Sequence, residues 1–170
     1  ALGNGYAISA VIGTEDVMSI SEHLFISSTC WTERIGPVAA LATLSKFETC
    51  NVADVLMKNG VRVQEIWRAE AANFSLDISI YGLPPISGFS FDYKNASEIK
   101  AYFIQLMMAQ GILATTAYYA MYSHTESELQ AYQEALHLAF SGLSMAMNEG
   151  KSIGDLLLGE PSVPGFKRLT

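Results

Sequence analysis

The sequence predicts an α/β fold in which the end of one α/β layer is followed by a smaller α+β unit. Ile8 to Gly13 is a short apolar run rich in β-branched residues, which is typical of a strand buried on both faces. A helical period then runs to Ala72, where the pattern changes to the alternation of a strand. We place a domain boundary near residue 50, and neither piece alone looks complete.

The sequence predicts two helices between Gly36 and Ala72. Small side chains from Gly36 to Phe47 favour a closely packed helix, with Pro37 tolerated in its first turn. Asn51 is a candidate N-cap for a long connecting helix, in which Gly60 is a weak point.

Two strands are expected beyond this helix. Leu76, Ile78 and Ile80 lie on one face of the first, Pro84-Pro85 interrupts the chain, and the run Phe89 to Phe91 resumes the alternation. The remaining predicted elements are a helix over Ala96–Gln110 stopped by Gly111, a short strand over Ile112–Ala114, a final helix from Thr125 to about Asn148, and an irregular tail over Gly150–Thr170.

Thr125 and Glu128 mark the start of the final helix. They have the spacing of the S/T-x-x-E capping box, in which the two residues satisfy each other's backbone N–H groups.

Charge and composition exclude several classes of function. The net charge is -7 and the pI is about 4.8, so no basic surface is expected for nucleic acid. No apolar run reaches the ~18 residues of a membrane-spanning helix, and we assign the high mean hydropathy of +0.23 to buried interface. Two cysteines, Cys30 and Cys50, are too few for a disulfide framework, and we expect reduced thiols in a cytoplasmic protein.

Two segments carry a resemblance to a known family. The run from Ala1 to Gly13, with its Leu2-Gly3-Asn4-Gly5-Tyr6 turn, resembles the stretch that follows the Schiff-base lysine in class-III aminotransferases, which depend on pyridoxal phosphate. The run from Phe25 to Leu44 is similar to the phosphate-contact loop of that family and the Ala-rich helix after it.

The resemblance implies a fold-type-I pyridoxal-phosphate-dependent transferase with pyridoxal 5'-phosphate as cofactor. The Schiff-base lysine would stand immediately before Ala1, so we expect no catalytic residue within the chain and an internal or processed start. Thr29, with Ser28 beside it, would bind the cofactor phosphate of the neighbouring subunit, which implies a homodimer. A Ser–Thr pair offers hydroxyl and N–H donors to a phosphate, although such pairs are also common as turns or helix caps.

The domains follow from the same resemblance. Residues 1–50 would be the end of the large cofactor-binding domain, 51–73 a connecting helix, and 74–170 the carboxy-terminal α+β domain. The runs Leu83 to Phe91 and Tyr122 to Leu129 look like that domain in the branch containing glutamate-1-semialdehyde aminomutase.

Some positions depart from the family. Ala7 stands where a proline is usual, and the run from Trp31 to Arg34 replaces a common Ser-Gly-Asn-Pro. The aminomutase itself favours Gly-Gly-Gly over Gly3-Asn4-Gly5. These differences favour an aminotransferase that moves an amino group from a small-molecule donor to a carbonyl acceptor. An aminomutase, and a non-catalytic interaction domain that retains the scaffold, are the alternatives.

Several other side chains are interpreted as structural. His124 precedes a capped helix and is interpreted as a turn residue, and His23 and His137 have still less context. Arg34 could pair with an acidic substrate or with Glu33. Two further sets are expected to serve packing, namely the tyrosines Tyr118, Tyr119 and Tyr122 and the methionines Met107, Met108, Met145 and Met147.

Overall fold

The computed structural model describes residues 2–27, 29 and 32–160. The chain divides into two compact units, Ala1–Ala53 and Asp54–Thr170. The division falls after the second residue of a long helix.

The described residues of unit 1 before Val52 form two α-helices. Helix α1 covers Glu15–Met18 and is followed by a 3-10 turn over Ser19–His23. Helix α2 covers Ile35–Thr49, in agreement with the helix predicted over residues 36–47. Its buried residues, Gly36 and Ala40, are small, as expected for a closely packed helix.

The predicted strand over Ile8–Gly13 is not formed. Residues 7–14 have no regular secondary structure, and Val11 and Ile12 are 84% and 90% exposed. A strand needs neighbours to satisfy its backbone N–H and C=O groups. Within the described part of unit 1 no other strand is available to pair with this segment, so its apolar side chains stay uncovered.

Helix α3 covers Val52–Asn73, which confirms the long helix of the sequence prediction. It does more than connect, because its apolar face enters the core of unit 2. Val63 and Trp67 are fully buried, and Ala71 is 3% exposed.

A three-stranded antiparallel sheet lies beside this helix in the order β1-β2-β3. Strands β1, Ile78–Leu83, and β2, Ile86–Phe91, form the hairpin predicted around Pro84-Pro85. Strand β3 covers Ala117–Tyr119 and pairs with the first half of β2. The short strand predicted over Ile112–Ala114 is therefore misplaced: those residues have no strand structure, and Ile112 and Ala114 instead pack against the core.

Two further α-helices are described in unit 2. Helix α4 covers Ala96–Ala109 and is followed after its C-cap by Gly111, whose φ of 77° favours glycine. It packs against helix α5, Glu126–Asn148. The predicted capping box is present, since the Glu128 carboxylate accepts the Thr125 backbone N–H at 2.8 Å. Hydrogen bonds from the Thr125 hydroxyl, the Thr125 backbone N–H and the Ser127 hydroxyl lower the pKa of Glu128 to about 2.

The core of unit 2 is rich in aromatic side chains. Phe89 lies at its centre, with the Trp67 ring 5.0 Å away and the Phe103 ring 5.6 Å away. Aromatic rings at such distances and tilted angles pack favourably. Not every predicted core residue takes part: Met107 is fully buried and Met147 packs against the core, but Met108 and Met145 are more than half exposed.

Candidate functional site

The turn at the start of the chain has the backbone that its glycines predict. Asn4 and Gly5 have φ values of 44° and 111°, and the Tyr6 N–H donates to the Gly3 carbonyl at 3.2 Å. Gly3 is buried, and a Cβ there would overlap the Tyr6 carbonyl. The close approach to the Tyr6 carbonyl therefore requires glycine at position 3. The positive φ values at positions 4 and 5 favour asparagine and glycine there.

Gly36 joins the segment after this turn to the start of α2. A Cβ at Gly36 would lie 3.2 Å from the Ala7 carbonyl oxygen and 3.3 Å from the Ile8 Cβ. The absence of a side chain thus lets the helix approach the backbone of residues 7–8. A glycine before a proline in the first turn of a helix is the sequence signal that marks this close approach.

Thr29, the predicted phosphate ligand, lies in an exposed turn of unit 1. Ser28, its predicted companion, and Cys30 and Trp31 after it lie outside the described residues. Helix α2 begins six residues further on at Ile35, so Thr29 is not its N-cap.

The N-cap position of α2 is held by Arg34. No side-chain hydrogen bond caps this helix, and its first turn contains no acidic residue. Arg34 is exposed, and among the described residues it makes no ion pair with Glu33 or another carboxylate. The first turn therefore presents a positive end and an exposed guanidinium, both of which favour an anion.

Helix α2 is apolar around most of its circumference. Its large exposed residues are Ile35, Val38, Leu41, Leu44 and Phe47, with exposed fractions from 42% to 69%. A helix that is hydrophobic on all sides is normally buried in a larger assembly. This surface agrees with the expectation that the excess hydropathy belongs to an interface.

His124 has the structural role that the sequence suggests. Its Nδ1 atom lies 3.0 Å from the Tyr118 hydroxyl and accepts the Met121 backbone N–H at 3.3 Å. The Asn59 amide donates to its carbonyl at 2.8 Å. These contacts tie the turn before α5 to β3 and α3, and burial raises the pKa of the Tyr118 hydroxyl.

The other candidate side chains do not form a catalytic cluster. His137 contacts the buried carboxylate of Glu70 at 2.8 Å, and Cys50 is a free thiol. Among the described residues, no three His, Cys, Asp or Glu side chains lie close enough together to hold a metal ion. None of the described helices is long and apolar enough to cross a membrane.

Two curated enzymes are similar to the chain in sequence. The 3-aminobutyryl-CoA aminotransferase of Cloacimonas acidaminovorans (strain Evry) is 27% identical over 142 residues, which are 80% of this chain and 34% of that protein. The 2'-deamino-2'-hydroxyneamine transaminase of Streptomyces kanamyceticus is 28% identical over 141 residues, which are 79% of this chain and 36% of that protein. The chain thus spans about a third of the length of these relatives. No protein-family model matches the sequence.

A solved structure shares the fold. The FumI protein of Sphingopyxis sp. MTA144, in its PLP internal aldimine form, superposes with a TM-score of 0.79 at 18% sequence identity. The match covers 92% of this chain and 38% of that protein. The fold is therefore that of a fold-type-I enzyme, as the sequence predicts. The chain is thus similar in sequence to two aminotransferases and in fold to a PLP-containing protein, in agreement with its resemblance to the carboxy-terminal part of the class-III enzymes.

Proposed function

We propose that the chain is the carboxy-terminal part of a class-III aminotransferase that uses pyridoxal 5'-phosphate to transfer an amino group from a small-molecule donor to a carbonyl acceptor. The observation that carries the proposal is the agreement of two aminotransferase relatives with the fold of a PLP-containing enzyme. Both curated relatives are named for amino transfer, which supports transfer over the intramolecular shift of an aminomutase.

In this proposal residues 1–50 end the large domain, 51–73 form the connecting helix and 74–170 form the carboxy-terminal domain. The lysine that binds the cofactor precedes Ala1, and the polypeptide that contains both is called the longer polypeptide below. The tight Gly3-Asn4-Gly5 turn supports this assignment, because a residue that enters a turn with so little conformational freedom is held in a fixed position.

Thr29 and Ser28 are proposed to bind the cofactor phosphate of the neighbouring subunit in a homodimer. The described donors fit a phosphate: Thr29 is an exposed residue with a hydroxyl group, and the uncapped start of α2 with Arg34 is electropositive. The apolar surface of α2 supports a subunit interface next to this loop.

The cofactor and the residues of this chain have separate roles in this proposal. The cofactor supplies the electron sink for chemistry at the substrate carbon. The residues of this chain position it: the Thr29 hydroxyl holds the phosphate, and the Gly3-Asn4-Gly5 turn orients the lysine that moves the proton.

The decisive experiment is a titration of the longer polypeptide with pyridoxal phosphate. We expect a yellow protein with a visible absorbance band, and no such band when the lysine before Ala1 is replaced by alanine. A longer polypeptide that stays colourless contradicts the proposal and favours a non-catalytic scaffold. The two relatives are named for different substrates, so amino donors and carbonyl acceptors are then screened by the spectral change that each causes.

A further inference from the structure

Four large side chains are exposed together on one face of the sheet in unit 2. They are Tyr81 and Leu83 of β1, Ile86 of β2 and Tyr119 of β3, with exposed fractions of 57%, 75%, 61% and 66%. Leu83 pairs with Ile86 and Ile86 pairs with Tyr119, so the four side chains are neighbours. We call them the outer patch, since Phe89 and the other core residues of β2 alternate to the opposite face.

The composition of this face is unusual for a sheet in water. An antiparallel sheet with one solvated face normally alternates apolar and polar residues. Here β1, β2 and β3 contain no charged residue. Among the described residues β1 is one of the two edge strands of the sheet, and within its six residues it has neither the lysine nor the proline that commonly protects an edge.

The outer patch is held in a defined shape. A Cβ at Gly88 would lie 2.9 Å from the ring and the hydroxyl of Tyr81, which shows that this ring lies across the backbone of β2. Tyr81 therefore covers the glycine on the outer face and extends the apolar surface from β1 to β2. Such a fixed surface loses little conformational entropy when another element packs on it.

The size of the patch indicates what covers it. Large apolar and aromatic side chains have roughly 150–250 Å² each, so the exposed fractions leave on the order of 500 Å² of surface. Two copies that met through this patch would bury about 1,000 Å², below the roughly 1,200–2,000 Å² of a stable interface between separate molecules. A segment of the same polypeptide needs no such area, because its effective concentration is high.

We propose that the outer patch and the free edge of β1 are covered by an extended segment of the longer polypeptide that lies outside this chain. The segment pairs with the β1 backbone and places alternate apolar side chains on Tyr81, Leu83 and Ile86. The two relatives are long enough to contain such a segment, because the residues that match this chain are only 34% and 36% of their length. This inference rests on the proposed function, because it requires the longer polypeptide.

The test compares the 170-residue chain with the longer polypeptide. Tyr81 and Tyr119 should react readily with a tyrosine-modifying reagent in the chain alone and be protected in the longer polypeptide. Leu83→Lys should leave the melting temperature of the chain alone unchanged and lower that of the longer polypeptide by roughly 2–4 °C or more. Leu158→Lys is the matched control, because Leu158 is 90% exposed and lines a cavity that contains none of the patch residues.

Each outcome is informative. Equal modification of both tyrosines in the two proteins, with Leu83→Lys harmless in both, overturns the inference even if the longer polypeptide binds pyridoxal phosphate. Protection without cofactor binding supports the inference and contradicts the proposed function. Dimers of the chain alone that Leu83→Lys dissociates would identify a second copy as the occupant and overturn the proposal. If no longer polypeptide exists, both proposals fail.

Discussion

The carbonyl group of Pro84, in the turn between β1 and β2, lies directly against the Cα of Gly60 in the middle of α3. A Cβ at position 60 would overlap this carbonyl and the following peptide bond. Gly60, which is the weak point of the predicted helix, is therefore the residue that lets the hairpin turn pack on α3.

The first prediction concerns this contact. Gly60→Ala should lower the free energy of unfolding by about 1–3 kcal/mol, because the turn must move to make room for the methyl group. Gly142→Ala in α5 is the matched control, since its Cβ would make an ordinary 3.4 Å contact with the Leu106 side chain. That variant should gain about 0.5–1 kcal/mol from helix propensity. Denaturant unfolding of both variants measures the difference, and a stabilised Gly60→Ala protein would contradict the packing.

The second prediction tests the proposed phosphate contact. Thr29→Ala in the longer polypeptide should weaken pyridoxal phosphate binding by roughly ten- to a hundredfold, since a hydrogen bond to a charged group contributes about 1.5–3 kcal/mol. The dimer should persist, because one hydroxyl contributes little to an apolar interface.

Thr32→Ala provides the control for Thr29→Ala, as Thr32 is an exposed threonine of the same loop. It should leave the cofactor affinity unchanged. Thermal melting of the apo forms tests the alternative that Thr29 serves only the stability of the fold. In that case Thr29→Ala would lower the free energy of unfolding by about 1 kcal/mol and leave the cofactor affinity unchanged. Equal affinities of Thr29→Ala and the parent protein would eliminate the phosphate assignment.

A third prediction follows from the buried contact between α3 and α5. The Trp67 Nε1–H donates to the Tyr132 hydroxyl at 2.7 Å, and burial of this hydroxyl raises its pKa. Tyr132→Phe should cost about 1–3 kcal/mol at neutral pH, because the indole N–H loses its acceptor. Tyr119→Phe, which removes a hydroxyl from an exposed ring, should change stability by less than about 0.5 kcal/mol.

The same group makes stability depend on alkaline pH. The folded-state pKa of Tyr132 is above the ordinary value of 10.0, so its contribution is complete below pH 10 and is lost as the pH rises, because the unfolded chain ionises first. Above pH 10 the free energy of unfolding should therefore fall more steeply in the parent protein than in Tyr132→Phe. The difference should reach up to about 1.4 kcal/mol per pH unit. Unfolding curves between pH 8 and 11 measure this, and parallel losses in the two proteins would contradict it.

The fourth prediction separates His124 from the cofactor site. His124→Ala removes the acceptor of the Met121 N–H and the partner of the Tyr118 hydroxyl. We expect unfolding to become easier by about 1–3 kcal/mol. In the longer polypeptide the affinity for pyridoxal phosphate should equal that of the parent protein. A fall in affinity without a fall in stability would make His124 a site residue.

The elements predicted correctly are those whose signals are local. The periodicity of α3, the Pro84-Pro85 interruption and the Thr125 capping box all act between residues close in sequence. Strand β3 was misplaced because a three-residue strand is defined by its pairing with β2, which the local pattern of Ile112–Ala114 does not contain. The strand predicted over Ile8–Gly13 has no partner strand among the described residues of its unit. The local sequence pattern does not reveal whether such a partner is present.

The candidate site could be predicted only in part for a similar reason. The loop with Thr29 and the glycine turn were identified from sequence, and the turn has the required backbone. The phosphate, the lysine and the neighbouring subunit are all proposed to lie outside the chain, so the assignment of Thr29 stays a prediction. Met108 and Met145 show the same limit, since an apolar helix position does not reveal which surface covers it.

The contact between Gly36 and residues 7–8 closes the intervening chain into a loop whose two ends are fixed. The entropy of closing a loop grows only with the logarithm of its length, so each doubling costs about 0.6 kcal/mol. Insertions or deletions between Ser9 and Phe25 should then be tolerated thermodynamically, while the lengths of the glycine turn and of the run from Thr29 to Gly36 are constrained. Among natural homologues of this chain, gaps should accordingly concentrate in the first half of the loop.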